Sequence, residues 1–162
     1  MPDESSRTDR DHLISALTAA LREGSGLGVL YSHAVAARLG MAPTDLECLG
    51  YLDDGPVTAG ALAEATRLTT GAITGVIDRL ERAGLARRES DPTDRRRVLV
   101  RATPSAQARV APLYAPMQRA ALGALEGYSD AELELLLGFL NRSRDAALIA
   151  LADLGAEPPS DT

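Results

Sequence analysis

The stretch "LTTGAITGVIDRLERAGLARRESDPTDRRRVLVRAT" (68–103) decides the fold. Its first half carries apolar residues at the i, i+3, i+4 and i+7 spacing of one helix face: Ile73, Val76, Ile77 and Leu80. Its second half changes to a period of two, so 85–89 ("LARRE") and 97–102 ("RVLVRA") predict strands. Pro92 and its neighbouring aspartates suit a turn between them. The stretch therefore predicts a helix followed directly by a β-hairpin.

Two shorter helices are predicted before that helix. The first, "PTDLECLGYLDDG", begins with a capping box formed by Thr44 and Glu47. The second, "VTAGALAEAT", is capped by Thr58, and Thr69 caps the longer helix that follows. A helix, a short helix, a helix and a hairpin in that order predict a winged helix-turn-helix over 41–103. The predicted fold class is mainly α with a small β-hairpin wing (α+β).

Helical patterns flank this lobe on both sides. Residues 1–40 carry two helical segments separated by "GSGLG". That run predicts a helix break or kink rather than a phosphate-binding loop, because no strand precedes it and its glycines lack the G-x-G-x-x-G spacing. Residues 104–154 predict two C-terminal helices, the second opened by a capping box of Ser129 and Glu132. Residues 155–162 predict a flexible polar tail.

Positive charge is concentrated in a chain that is acidic as a whole. The formal net charge is −6, yet residues 79–109 hold nine arginines against four acidic residues, a local charge of +5. The rest of the chain therefore carries −11. This segregation predicts one basic face on an acidic body, the pattern of a protein that binds nucleic acid through one surface.

Several function classes are excluded. Motifs of hydrolases, metalloproteases and P-loop enzymes are missing from the sequence, so we predict no enzyme, no catalytic residue and no cofactor. His12 and His33 have no neighbours at metal-ligand spacing, so no metal site is predicted. The single Cys48 excludes an intramolecular disulfide and lies in an apolar stretch, which favours a buried structural role over an oxidant sensor.

We expect no membrane association. No apolar run approaches the length of a bilayer span, and the N-terminus lacks an apolar signal core. A soluble cytoplasmic protein is therefore predicted.

The outward face of the helix over 69–83 is predicted to read DNA. Small residues at its N-terminal end would let backbone and hydroxyl groups approach base edges: Thr70, Gly71, Thr74 and Gly75. Each glycine weakens a helix by about 1 kcal/mol relative to alanine. Two explanations for these glycines stay open, which are close approach to DNA and close packing against another helix.

The wing over 86–102 carries the second predicted contact. Arg95, Arg96 and Arg97 at its tip could enter a minor groove, whose negative potential favours arginine. The alternative for such a run is a solvated surface, but its place on a turn after a helix-turn-helix favours DNA. Asp94 could hold an arginine side chain in its working direction, and Arg88 on the first strand is a candidate partner.

Residues 68–103 closely resemble the MarR family of bacterial transcription regulators. The most specific motif is "DPTDRRRVLVRAT", the family's wing with its D-x-R core, and "GVIDRLERAGLARR" is similar to the end of its recognition helix and its first wing strand. The resemblance follows the order of elements over about 27–145 and is specific over 58–103. Ala61 stands where relatives often carry an acid, and Ala106 stands where a glycine is common.

The resemblance implies a homodimer in which the helices of 1–40 and 104–154 interlock. It also implies a palindromic double-stranded DNA operator and a repressor released by a small aromatic or anionic effector, or by oxidation. Carried over residue by residue, Arg96 is the minor-groove residue and Asp94 orients the wing. The recognition-helix contact zone is matched by Thr69, Thr70, Gly71, Thr74 and Arg79.

An effector cleft is the least specified prediction. The candidates are Tyr31, Tyr51, Tyr114 and Met117, and each is equally well explained as a core residue. A different class of function also stays open, a winged-helix protein-interaction module with vestigial DNA binding. The intact run of arginines at the wing tip disfavours that alternative.

Overall fold

The computed structural model describes the backbone of residues 4–156 and the side chains of residues 8–154. Within that range the elements are α1 (Glu4–Leu39), α2 (Pro43–Gly50), β1 (Val57–Thr58), α3 (Ala59–Thr66), α4 (Thr70–Arg82), β2 (Ala86–Ser90), β3 (Val98–Ala102), α5 (Pro104–Leu125) and α6 (Asp130–Ala156). The chain forms two compact units, the first ending at Ala115 and the second beginning at Pro116. The predicted mainly α fold with a small β wing is confirmed.

The wing is part of an antiparallel sheet in the order β1-β3-β2. The hairpin places Arg88 opposite Val100, and β1 pairs Val57 with the same Val100 on the other side. The two strands of the hairpin were predicted from their period of two. The third strand was not predicted, because two residues are too few to display any period.

The core of the first unit forms around α4. The predicted apolar face of this helix is fully buried, with Ile73, Val76, Ile77 and Leu80 exposed by 2% or less. These side chains pack in one cluster with residues of α2, α3 and the hairpin, among them Cys48, Leu62 and Val100. The burial of one helix face forces the opposite face of α4 outward, which positions the candidate DNA-reading side chains.

Most of the predicted helix caps form in the structure. The hydroxyl of Thr58 accepts a hydrogen bond from the amide of Ala61, and Thr69 accepts one from Ala72. Ser129 and Glu132 form the predicted capping box. The predicted cap at Thr44 is wrong: the N-cap is Ala42, two residues earlier, and α2 begins at Pro43. Proline suits the first helical position because its fixed φ is already helical and its missing N–H would have had no partner there.

The predicted break at "GSGLG" is also wrong. Helix α1 runs without interruption from Glu4 to Leu39, and Gly24, Gly26 and Gly28 are all helical. Each glycine weakens a helix by about 1 kcal/mol relative to alanine, which is too little to end a helix that is favoured by the residues on both sides.

Helix α1 contains a longer apolar stretch than the one predicted from the sequence. The segment Thr8–Leu39 is long and apolar enough to cross a membrane by length and composition, with a mean hydropathy of 1.2 over an 18-residue window. The expectation that no apolar run approaches the length of a bilayer span is therefore wrong for this helix. One such helix is weak evidence for a membrane span, because a buried core helix of a soluble protein and a signal sequence near the N-terminus can have the same length and composition; the window in α1 is not buried.

The predicted flexible tail over 155–162 is only partly covered by the structure. Helix α6 extends to Ala156, so the first two residues of that range are helical. Residues 157–162 lie outside the described part of the chain.

The continuity of α1 predicts opposite effects of alanine at two glycines. A Cβ at the helical Gly26 would meet no atom within 4 Å, so Gly26→Ala should raise the free energy of unfolding by about 1 kcal/mol through helix propensity. Gly40 closes the same helix at φ +69°, so Gly40→Ala should lower that free energy by about 1–2 kcal/mol. Urea denaturation measures both. Destabilisation by Gly26→Ala would contradict an uninterrupted helix.

Candidate nucleic-acid interface

The outward face of α4 presents small polar side chains. Thr70, Gly71 and Thr74 are exposed at the N-terminal end of the helix. The hydroxyl of Thr74 donates a hydrogen bond of 2.8 Å to the carbonyl of Thr70. This bond fixes the position of the hydroxyl and leaves its oxygen lone pairs available to accept from a base edge.

Within the described residues, no other element of the chain packs against the two glycines of α4. Among the described residues, a Cβ added to Gly71 would meet nothing within 4 Å. A Cβ added to Gly75 would meet only the guanidinium of Arg79, at an ordinary contact distance of 3.5 Å. Close packing against a helix of the same chain is thus excluded within the described residues, and close approach by a ligand or partner remains.

Arg79 is held by a side chain that the sequence reading missed. Its Nε and one terminal nitrogen donate to the two carboxylate oxygens of Asp45, at 2.9 and 2.6 Å. Asp45 is buried on α2, while the side chain of Arg79 is 46% exposed. The bidentate pair ties α4 to α2. The signal in the sequence was the position of Asp45 on the same helix face as Cys48 and Leu49, where an apolar residue would be expected.

Arg88 links the wing to the recognition helix. Its guanidinium donates to Asp78 at 2.7 Å and also to Glu81, whose carboxylate in addition accepts from the backbone amide of Arg88 at 2.7 Å. Both carboxylates lie on α4, and Arg88 lies on β2. The predicted pairing of Arg88 with Asp94 is therefore wrong. Arg88 is in the paired part of β2 beside α4, whereas Asp94 lies beyond the strand, in the turn.

The wing turn is closed by two aspartates. The buried carboxylate of Asp91 accepts from the amide and hydroxyl of Thr93, at 2.8 and 2.6 Å, and its amide donates to the carbonyl of Arg97. The carboxylate of Asp94 accepts from the backbone amide of Arg96 at 3.0 Å. Asp94 thus fixes the backbone of the turn rather than an arginine side chain. From the sequence, Asp91 was predicted only to be part of the turn. It forms more of these hydrogen bonds than Asp94 does.

The arginines at the wing tip differ in their surroundings. Arg97 reaches Asp91 at 3.8 Å, at the outer limit of an ion pair, and its side chain is 57% exposed. Arg95 and Arg96 are exposed, and among the described residues their guanidinium groups form no ion pair. The wing thereby offers two cationic groups to a ligand.

The predicted effector residues are divided between the two units of the chain. The rings of Tyr31 and Tyr114 contact each other, with centroids 5.7 Å apart. Their hydroxyl groups donate to the carbonyl of Leu113 and to the hydroxyl of Ser32, so they join α1 to α5. Tyr51 is 43% exposed, and Met117 is exposed in the second unit. Within the first unit, the structure brings Tyr31 and Tyr114 together in a packing role.

A cavity of about 310 Å³ lies elsewhere in the first unit. It is lined by the turn after α2, both wing strands and the start of α5: Leu52, Asp53, Gly55, Arg87, Arg101, Ala102, Thr103, Pro104 and Gln107. Glu89 pairs with Arg101 at 2.9 Å and with Arg87 at 3.2 Å. The hydrogen bond from Arg101 is the main reason that the pKa of Glu89 is lowered. None of the four predicted effector residues lines this cavity.

The remaining reactive side chains show no catalytic or metal-binding arrangement within the part of the chain that the structure describes. No group of three or more His, Cys, Asp or Glu side chains is placed to hold a metal ion there. Cys48 is fully buried, and burial raises the pKa of its thiol to about 11, with Glu47 and Asp45 adding to the effect. A thiol that stays protonated at neutral pH is a poor nucleophile, which agrees with the structural role predicted for it.

Proteins of similar sequence are transcriptional regulators, which agrees with the winged helix-turn-helix geometry of the first unit. A model of the MarR family matches residues 39–97. The uncharacterised HTH-type transcriptional regulator YcgE of Bacillus subtilis is 36% identical over 142 residues, covering 87% of this chain and 92% of the relative. A putative transcriptional regulatory protein for the hcr operon of Thauera aromatica is 29% identical over 132 residues, covering 81% and 75%.

Solved structures show the same fold at lower identity. A mutant of MepR from a multidrug-resistant S. aureus isolate superposes with a TM-score of 0.66 at 19% identity, covering 81% of this chain and 96% of that one. A MarR family protein from Bacillus stearothermophilus superposes with a TM-score of 0.59 at 21% identity, covering 91% and 99%.

The wing turn generates a prediction about pH. The hydroxyl of Thr93 is the main cause that lowers the pKa of Asp91, followed by the amide of the same residue. A lowered pKa means that this carboxylate stabilises the wing at neutral pH and that the contribution is lost as the pH falls through the folded-state value. In a carboxyl NMR titration, Asp91 should titrate below the ordinary aspartate value of about 3.9. Thr93→Val should raise it.

Glu132 is the internal control for that titration. Ser129 lowers its pKa by the same kind of hydrogen bond, far from the wing in sequence. Its titration should be the same in Thr93→Val and in the unmodified chain. An Asp91 pKa that does not change in Thr93→Val would contradict the assigned cause.

Proposed function

The chain belongs to the MarR family of DNA-binding transcriptional regulators, and on that premise we propose that it acts as a homodimeric repressor of a palindromic operator. The proposed interface is the outward face of α4 together with the wing tip. The observation that carries this proposal is the pair of exposed arginines, Arg95 and Arg96, on a wing that the carboxylates of α4 hold in place.

The recognition helix is proposed to enter the major groove by its N-terminal end. The side chains there are short, and the groove is wide enough to admit a helix. Thr69, Thr70 and Thr74 supply hydroxyl groups for base edges or phosphates and methyl groups for thymine. Open space at Gly71 supports a close approach of the helix backbone to DNA.

The wing is proposed to reach the adjacent minor groove. The negative potential of a narrow minor groove attracts arginine. Arg96 is the proposed groove residue, with Arg95 beside it, and Asp94 holds the turn by accepting from the amide of Arg96. Arg97 follows at the end of the turn, close to β3.

Arg79 and Arg88 are proposed to act mainly as positioning residues. Each of their guanidinium groups is engaged by carboxylates of the same chain. A positive charge already paired in this way has less to gain from a phosphate than an exposed one. Their proposed contribution is to hold α4 on α2 and the wing on α4, so that helix and wing meet DNA as one body.

A second copy of the chain is the proposed cover for the apolar side chains that α1 and α6 expose. On α1 these include Leu13, Ile14, Leu17, Leu27, Val29 and Leu30, and on α6 they include Leu135, Leu137, Leu140, Leu148, Ile149, Leu151 and Leu154. Each is at least 43% exposed in the single chain. Helices that each expose this many apolar side chains are typical of an interaction site in soluble proteins. Two copies would also supply the two recognition helices that a palindromic operator requires, with half-sites about 34–36 Å apart.

Release by a small aromatic or anionic effector is proposed as the regulatory step. The cavity between the turn after α2, the wing strands and the start of α5 supports it, because Arg87 and Arg101 line this space at the base of the wing. An effector that lowers operator affinity tenfold must bind DNA-free protein more tightly than DNA-bound protein by about 1.4 kcal/mol. Since the target is chromosomal DNA, the proposed location is the cytoplasm.

The proposed function predicts sequence-selective binding that depends on Arg96. Fluorescence anisotropy with the duplex upstream of the chain's own gene should show tight binding that a scrambled duplex does not displace. Arg96→Ala should lose most of this binding. Arg10→Gln, on the exposed N-terminal part of α1, should leave it unchanged.

Equal affinity for the upstream and scrambled duplexes, unaffected by Arg96→Ala, would reject that operator and the role of the wing there. A wider selection of DNA sequences would follow. Failure of that selection would favour a protein-interaction module.

The proposed dimer predicts a charge-sensitive interface on α6. Light scattering should give a solution mass of twice the 17.0 kDa of one chain. Leu148→Glu places a carboxylate on the apolar surface and should shift the population toward the single-chain mass. Glu134→Gln, an exposed polar position of the same helix, should not. A single-chain mass for the unmodified protein at micromolar concentration would rule out a stable dimer.

A further inference from the structure

Two arginines lie directly opposite each other on the two strands of the wing. The register of the hairpin pairs Arg87 of β2 with Arg101 of β3. Like charges at directly opposed positions of an antiparallel pair destabilise it. Two cations placed side by side in this way favour a negatively charged group that contacts both of them.

Glu89 supplies one such group and balances only part of the charge. One of its carboxylate oxygens accepts from Nε of Arg101 at 2.9 Å, and the other lies 3.2 Å from a terminal nitrogen of Arg87. The three side chains together carry a charge of +1, because two cations face one anion. Each guanidinium has several N–H donors, so the two arginines have the capacity to bind a second carboxylate.

The cavity of about 310 Å³ opens beside the same two arginines. Both Arg87 and Arg101 line it, whereas Glu89 is not part of its lining. Their side chains are 63% and 43% exposed, so the ion pairs with Glu89 leave much of their surface accessible. A ligand in the cavity would therefore meet both guanidinium groups.

The rest of the lining indicates the size and polarity of such a ligand. Leu52, Ala102 and Pro104 contribute apolar groups, and Gln107 contributes an amide at the start of α5. The cavity volume is at the lower end of ligand pockets, which measure about 300–1,000 Å³. The space therefore suits a small ligand with a short apolar body.

Asp53 limits the negative charge that the ligand can carry. This residue lines the cavity together with the two arginines. Burial raises the pKa of the Asp53 carboxyl group, and the neighbouring Asp54 adds to the effect. Both causes disfavour negative charge at this end of the cavity. A ligand with one carboxylate at the arginines is compatible with that limit, whereas a second carboxylate near Asp53 would be repelled.

We propose that this cavity binds a small monocarboxylate, whose carboxylate group bridges Arg87 and Arg101 beside Glu89. Its use as the effector rests on the proposed function, to which it adds the chemical class of the ligand. Because both arginines lie on the strands of the wing, the bound carboxylate would compete with Glu89 for them at the base of the wing.

Hexanoate is the probe for this site, and hexanamide is its neutral control of nearly equal size. Each is titrated into the DNA-free protein, and the NMR shifts of backbone amides give the dissociation constant. Hexanoate should shift the amides of cavity residues such as Gly55, Ala102 and Thr103. Hexanamide should bind at least about fivefold more weakly, because an exposed ion pair contributes up to about that factor.

Substitutions in and beside the cavity should change the affinity for hexanoate in opposite directions. Arg101→Gln removes a bridging cation and should weaken binding about fivefold. Glu89→Gln removes the competing carboxylate and Asp53→Asn removes the repelling one, so each should strengthen binding. The controls Arg10→Gln on α1 and Glu64→Gln on α3 change exposed charges outside the cavity lining and should leave binding unchanged. A purely structural role of the cavity residues would not strengthen binding in any variant.

Two results would overturn the inference. Equal binding of hexanoate and hexanamide, or no shift with hexanoate, would show that the arginines hold no ligand carboxylate. Unchanged affinity in folded Arg101→Gln and Glu89→Gln variants would place the carboxylate elsewhere. In both cases the proposed function stands if the unmodified chain still prefers its upstream duplex. Failure to bind either duplex would reject that function, whereas the hexanoate titration would still test the site.

Discussion

Two carboxylates on α4, Asp78 and Glu81, hold Arg88 of the wing, and the geometry of the proposed DNA-reading surface depends on that contact. Ion pairs of this exposure each contribute only about 0–1 kcal/mol to stability. The buried face of α4 is the larger stabilising term, because each buried aliphatic side chain contributes about 1.5–3 kcal/mol. The carboxylates therefore contribute little to stability and mainly fix the orientation of the wing relative to α4.

The chain is acidic as a whole, and this is consistent with DNA binding because its arginines fall into two groups. One group is paired with carboxylates of the same chain, and the other is left exposed. Asp45, Asp78, Glu81 and Glu89 pair with arginines of α4 and the hairpin, and these arginines are proposed to position the lobe. The arginines left exposed, at the wing tip, are proposed to meet the phosphates and the minor groove. The rest of the acidic body would repel DNA and favour approach through this one face.

The parts of the fold that could be predicted are those whose signal is local. The apolar periods of α4 and the hairpin can be recognised within a short stretch of sequence. The caps at Thr58 and Thr69 each accept from an amide only three residues away. The pairing of Arg79 with Asp45 joins residues 34 positions apart, so no local pattern reveals it. The continuity of α1 was missed because helix propensity is a sum over many residues, which three glycines reduce without reversing. The left-handed backbone conformation of Arg67, in the turn after α3, was missed because such a turn favours glycine.

The most direct test of these two roles, contact with DNA and positioning, compares two double variants that each remove two positive charges. Arg95→Gln/Arg96→Gln removes the exposed pair, and Arg79→Gln/Arg88→Gln removes the paired one. The measurement is the slope of log DNA affinity against log salt concentration, at a temperature where circular dichroism reports both variants folded. We expect the slope to fall by about 1.8 in the first variant and to change little in the second. Equal falls in both would contradict the assignment of Arg79 and Arg88 to positioning.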